Sequence, residues 1–179
     1  MRSTGSHVIL NRELKVPNKQ EIIADLYEKY YDKVARYVFA RTGDRMLSED
    51  LASDVFVRAL KSVDSYKERG LPIEAWLFKI AHNLVIDYYR KKGREAHLES
   101  EPASGDDVEE ITERDMEIDR ITKAMEKLTP AQREVIGLRI FSELSSVEAG
   151  KIMGKTPGAV RELQSQALKT LRQILEKDG

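Results

Sequence analysis

The chain has 179 residues, enough for one medium domain or two small ones. Hydrophobic residues make up 41% and charged residues 34%, a mixture that suits a soluble helical protein able to bury a core without staples. The absence of cysteine excludes disulfides, thiolate catalysis and cysteine-based zinc sites, the net charge of −1 excludes a uniformly basic coat protein, and no apolar run approaches membrane-spanning length.

The opening MRSTGSH reads as an expression scar, and residues 1–18 are set aside as an N-terminal extension. Beyond it, apolar residues recur mainly at helical spacing with no convincing strand pattern, so the expected class is all-α. Asn18 and Glu21 have the spacing of a capping box, opening a helix whose Ile22, Ile23, Leu26, Tyr30 and Val34 point to a core. Gly43 interrupts or ends the helical stretch that follows. Ser48, ahead of Glu49 and Asp50, reads as an N-cap with an acidic first turn. The helix behind it buries Leu51, Val55, Phe56, Ala59 and Val63. Ser65 to Pro72 is a loop, and Pro72 suits the first turn of a helix running to about Lys92.

A first domain thus spans residues 19–94. Residues 95–117 follow as an acidic linker, with Pro, Ser and Gly and little apolar content; a segment of this length is either functional or disordered. It comes directly after the basic run Lys91 to Arg94, so opposite charges are sorted into blocks. A second helical domain covers residues 118–179. Thr129-Pro130-Ala131-Gln132 supplies a cap, an N1 proline and a capping-box glutamine; Ser145 with Glu148 repeats the signal, and Thr156-Pro157 opens a last helix to about Leu175.

Two helices carry the functional signal. In AWLFKIAHNLVIDYYRKKGRE (Ala75 to Glu95), Leu77, Ala81, Leu84, Val85 and Tyr88 share an apolar face, and Lys79, His82, Asn83, Ile86, Asp87 and Arg90 share the other. Trp76 and Tyr89 sit near the edges. Aromatic rings here offer stacking worth roughly 1–3 kcal/mol per base. Lys79, Arg90, Lys91, Lys92 and Arg94 are suited to phosphates and Asn83 to a base edge. An ordinary packed helix with a basic end accounts for the same residues. In the last helix, Val160, Leu163, Ala167, Leu171 and Ile174 share one face; Gly158, Arg161, Glu162, Ser165, Lys169 and Arg172 share the other. The short helix before it, the tight turn at Gly154 and the small Gly150 give helix-turn-helix spacing. Arg161 suits guanine and Glu162 a cytosine amine in a major groove, against a solvated bundle face as the other reading.

The stretches SEDLASDVFVRAL, AWLFKIAHNLVIDYYRKKGR and LTPAQREVIGLRIFSELSSVEAGKIMGKTPGAVRELQSQALKTLR, in that order around an acidic linker, resemble an extracytoplasmic-function sigma factor of the sigma-70 family. The resemblance covers about Glu21 to Leu175 and implies two small helical domains, like sigma regions 2 and 4. It implies core RNA polymerase and promoter DNA as partners, an anti-sigma protein as regulator, a cytoplasmic location, and no cofactor or metal. Asp50, Asp54 and Arg58 become candidates for docking on the polymerase clamp helices, although Ser53 stands where the family often has Gln. Ser65, Tyr66 and Lys67 would help capture a flipped base of the −10 element, beside Trp76 and the reader Asn83, with His82 as polar surface. Arg161, Glu162 and Ser165 would read the −35 element, with Lys155, Lys169 and Arg172 on phosphates. Leu163 and Gln164 depart from the common family pattern, so −35 preference does not carry over. Asp106, Asp107, Glu109 and Glu110 would mimic nucleic-acid charge in the polymerase channels, or serve as a simple acidic tether.

The function expected is promoter recognition and DNA opening on behalf of polymerase, with no catalysis by this chain. The alternative is a helix-turn-helix regulator acting on duplex operator DNA; a protein-binding helical adaptor is a third reading. His7, His82 and His97 lack ligand-like spacing, and no phosphate-binding glycine loop is present. Free of polymerase, the domains are expected to pack together and hide both DNA surfaces.

Overall fold

A computed structural model describes residues 16–96 and 113–178, and all regular structure among them is helical. Helix α1 (Lys19–Thr42) opens with the expected box: Asn18 accepts from the Glu21 amide while Glu21 accepts from the Asn18 amide. It closes at Gly43, whose φ of 68° is a left-handed conformation that glycine adopts without a Cβ penalty. Helix α2 (Arg45–Ser62) begins earlier than expected. Asp44, not Ser48, is its N-cap and accepts from the Leu47 amide. The turn at Gly43 delivers Asp44 in extended conformation to the helix start, where its charge also favours the dipole. Ser48 is then one turn inside, buried, with its hydroxyl on the Asp44 carbonyl and Thr42 Oγ1. A 3₁₀ turn (Val63–Ser65) leads into the loop, and α3 (Ile73–Ala96) runs past Lys92.

The second domain starts with α4 (Glu113–Glu126), so helix enters both ends of the span read as linker. Residues 97–112 lie outside the described residues, and with them the expectation for Asp106, Asp107, Glu109 and Glu110. Helix α5 (Pro130–Ile136) carries the Thr129/Gln132 box and continues as a π-helical turn (Gly137–Phe141). Helices α6 (Ser146–Met153) and α7 (Pro157–Lys177) start at Ser145 and Thr156 as the caps indicate. Gly154 makes the turn between them at φ 66°. Gly150 is needed for close approach: a Cβ there would lie 2.5 Å from the Lys155 carbonyl oxygen.

Apart from Ala124, the buried apolar residues among those described form one continuous cluster across both domains. Val34, Val38, Val55, Leu77 and Val85 fill the first; Val135, Leu138, Ala149 and Val160 fill the second. Phe78, with no exposed surface, belongs to this core although it falls outside the apolar face of the helical wheel. Tyr88 is half-buried rather than enclosed. Helix α1 packs on α5 and the π-helical turn, and α6 meets α3, so the two domains are closed on one another.

Candidate nucleic-acid interface

On α3, Lys79, Asn83 and Arg90 lie exposed along one stripe, with Ile86 exposed among them and Lys91, Lys92 and Arg94 beyond. Arg90 donates to Asp87 at 2.8 Å, and Arg58 of α2 reaches the other oxygen of the same carboxylate at 3.7 Å. One of the polymerase-docking candidates is therefore coupled to the α3 stripe. Asp50 and Asp54 are exposed on α2. The loop before α3 is fixed from within. Tyr66 packs its ring 5.1 Å from that of Trp76, tilted by 45°, and its hydroxyl donates to the Leu71 carbonyl at 2.8 Å. Burial, then the carboxylates of Glu68 and Glu74, holds the Tyr66 phenol above its ordinary pKa. Trp76 is half-buried and packs against the core, while Lys67 is exposed. Tyr89 is 40% exposed, but its hydroxyl is bound to the Arg41 carbonyl at 2.9 Å.

On α7, Val160 and Ala167 are buried, and Leu163 and Leu171 pack against the core; Arg161, Glu162, Ser165, Lys169 and Arg172 are all exposed, as is Lys155 in the turn. Arg161 donates to Ser146 Oγ at 3.1 Å, and Glu162 accepts from Gln166 at 2.9 Å. Gln164, singled out only as a departure, has a structural role. Arg139 of the π-helical turn donates to it at 2.9 Å and also bonds the Leu144 carbonyl. One guanidinium thus ties α7 to the segment before α6.

Sequence reasoning missed the buried polar cluster between the domains. Glu134 of α5 is 8% exposed, and one of its carboxylate oxygens receives everything. Tyr37 donates to it at 3.2 Å, Arg41 lies 3.1 Å away, and His82 Nδ1 also bonds it. Arg41 also donates to the Tyr37 hydroxyl at 3.2 Å. His82 is therefore not surface, as its place on the wheel suggested, but half-buried against α5. Burial pushes the Glu134 carboxyl up, but the His82 hydrogen bond, the Arg41 charge and Tyr37 outweigh it and hold the group below its ordinary value. Burial pushes the Tyr37 phenol far up. The signal that existed was a glutamate on the apolar face of α5, next to Val135 and Ile136.

The closed packing does not hide the two faces expected to meet DNA: the α3 stripe and the α7 face stay exposed. The one intrusion among the described residues is at the loop, where Lys151 of α6 donates to the Gly70 carbonyl.

Residues 26–95 match the family described as Sigma-70 region 2, and residues 124–173 match Sigma-70, region 4. The RNA polymerase sigma factor YlaC of Bacillus subtilis is 30% identical over 164 residues, 88% of this chain and 94% of that protein. This chain belongs to the sigma-70 family. Its relatives place it among the ECF sigma factors: BldN of Streptomyces coelicolor is 34% identical over 86% of this chain. The chain spans 60% of BldN's own length. The solved structure of CnrH in complex with the cytosolic domain of CnrY has a TM-score of 0.68 at 26% identity, covering 89% of this sigma factor and 91% of that chain. The sigma factor RpoE, solved with the anti-sigma factor NepR from Bartonella quintana, has a TM-score of 0.76 at 24% identity over 88% of this chain and 99% of that one, a likeness of fold. Sigma factors bind core RNA polymerase and promoter DNA.

Proposed function

We propose that this sigma factor directs core RNA polymerase to promoters through two readers of different kinds. Residues 19–94 engage the −10 element: Tyr66, Lys67 and Trp76 frame a flipped base, Asn83 reads an edge, and Lys79, Arg90, Lys91, Lys92 and Arg94 hold phosphates. Unstacking a base costs a few kcal/mol, which a snug aromatic pocket and polymerase contacts must offset. Residues 118–179 engage the −35 element in the major groove, with Arg161, Glu162 and Ser165 toward bases and Lys155, Lys169 and Arg172 toward phosphates. Asp50, Asp54 and Arg58 dock on polymerase, and residues 95–117 act as an acidic tether. Polymerase performs the phosphodiester chemistry; this chain is not an enzyme, needs no cofactor and works in the cytoplasm. An anti-sigma protein restrains it, as the partners named with CnrH and RpoE suggest.

The observation that carries this reading is the pairing of two family matches with two exposed polar faces, one beside the tilted Tyr66–Trp76 ring pair and one on the second helix of a helix-turn-helix. The test is transcription by core polymerase on a randomised promoter library, with and without this chain. New start sites sharing two spaced upstream elements are expected. Duplex binding that needs no polymerase, with no new starts, would instead favour the operator-binding regulator.

A further inference from the structure

We propose that Glu134, seated among Tyr37, Arg41 and His82, is an autoinhibitory latch that holds the second domain on the first in the free chain. Among the described residues, every polar partner of the Glu134 carboxylate lies in the other domain: Tyr37 and Arg41 come from α1 and His82 from α3. One turn further along, Gly137 presses on the same tyrosine. A Cβ at Gly137 would lie 2.8 Å from Tyr37 Cδ2, so only a glycine lets the chain seat this closely. Around the latch, Lys33 pairs with Glu143 and Lys151 bonds the Gly70 carbonyl, both again between domains. Glu143, the partner of Lys33, has a left-handed φ of 57°.

The chemistry of this interface suits opening. A carboxylate, a guanidinium, an imidazole and a phenol satisfy one another when closed, and water satisfies each when apart. Desolvation offsets much of the attraction in such a buried pair, so it specifies register more than it adds stability. Removing one member unbalances the closed form alone.

The open form is what the sigma reading requires, and the inhibitory role of the latch rests on that reading. Elements near −35 and −10 are about 25 base pairs apart, roughly 85 Å along B-DNA. A compact chain of this length has a radius of gyration of about 16 Å and a diameter of roughly 40 Å. The closed form therefore cannot touch both elements on straight DNA. The chain between Ala96 and Glu113 can extend to about 58 Å, which lets the domains separate without losing their connection. The Lys151 bond also sets α6 against the loop assigned to the flipped base, a second reason why the closed form is inactive.

The test uses the whole chain. Having no cysteine, it accepts a dye pair at Glu28→Cys and Gln173→Cys, exposed sites on α1 and α7. Energy transfer is expected to be high in the free parent and to fall when saturating core polymerase is added. Glu134→Gln should lower the closed-to-open ratio about tenfold, because a charge-assisted bond is removed while shape is kept. Gly137→Ala should act in the same direction without touching a charge, and it favours helix, so it decides the matter if Glu134→Gln fails to fold by circular dichroism. Low transfer in the free parent overturns the latch, as does unchanged transfer in the folded variants. If transfer is high in the free parent and falls in the variants, but core polymerase neither lowers it nor transcribes with the chain, the latch stands and the sigma reading falls.

Discussion

Asn83 is the residue on which base reading at the −10 element rests. It is exposed, one turn from Lys79, and its amide offers both a donor and an acceptor. Asn83→Ala should remove about 1–3 kcal/mol of discrimination at one promoter position and leave others unchanged. A promoter competition series reads this directly, and an unaltered preference would remove Asn83 from the reading role. Gly150 belongs to the other domain and to stability. Gly150→Ala drives a methyl group into the Lys155 carbonyl, and overpacking of this kind costs about 1–3 kcal/mol. The midpoint of urea unfolding should fall, with the slope unchanged. Residues of this sort are legible in the sequence because their reasons are local: a turn close by makes Gly150 necessary. His82 is not legible in that way. Its partner Glu134 is 52 residues away in sequence, and the polar face of an isolated helix does not say what will pack against it.

At the scale of elements, the caps at Asn18, Thr129, Ser145 and Thr156 all appear where their patterns put them, because side chain and amide are separated by only a turn. Ser48 departs from its pattern for a local reason as well. Asp44 follows Gly43 directly, and the chain reversal there makes it the cap. The last helix yields a prediction about salt. Lys169 and Arg172 lie exposed on the outward face of α7. Replacing either by Ala should weaken promoter binding about equally for all −35 sequences and reduce the salt slope by about 0.9 for each phosphate left unneutralised. Affinity measured across a salt series checks it; a change in sequence preference would make the residue a base reader instead. Arg139 acts differently. It touches α7 through Gln164, so Arg139→Ala should blur the −35 preference by misplacing the helix while the salt slope stays as it was.

For the whole molecule, the closed packing carries a pH dependence. The groups facing Glu134 are Tyr37 and Arg41 from α1 and His82 from α3. In the closed form its carboxyl is held below the ordinary value of 4.5, to which it returns when the domains part. A depressed carboxyl pKa stabilises the closed form above that ordinary value, and the contribution is lost as pH falls through the lower one. Acidification below about pH 4.5 should therefore open the chain, visible as falling energy transfer at constant helix content. Glu143, lowered by Lys33 and then weakly by Arg36, contributes in the same direction. In Glu134→Gln the acid transition should shrink to the part that Glu143 supplies.

The all-helical class, the helix starts at Asn18, Thr129, Ser145 and Thr156, the helix-turn-helix and the exposed faces of α3 and α7 follow from periodicity, caps and turns, each set by residues within a few positions of one another. The burial of Glu134 and the turning inward of His82 do not. They depend on side chains that meet only after α1, α3 and α5 have packed, and no spacing along the chain encodes which polar group a buried carboxylate will find.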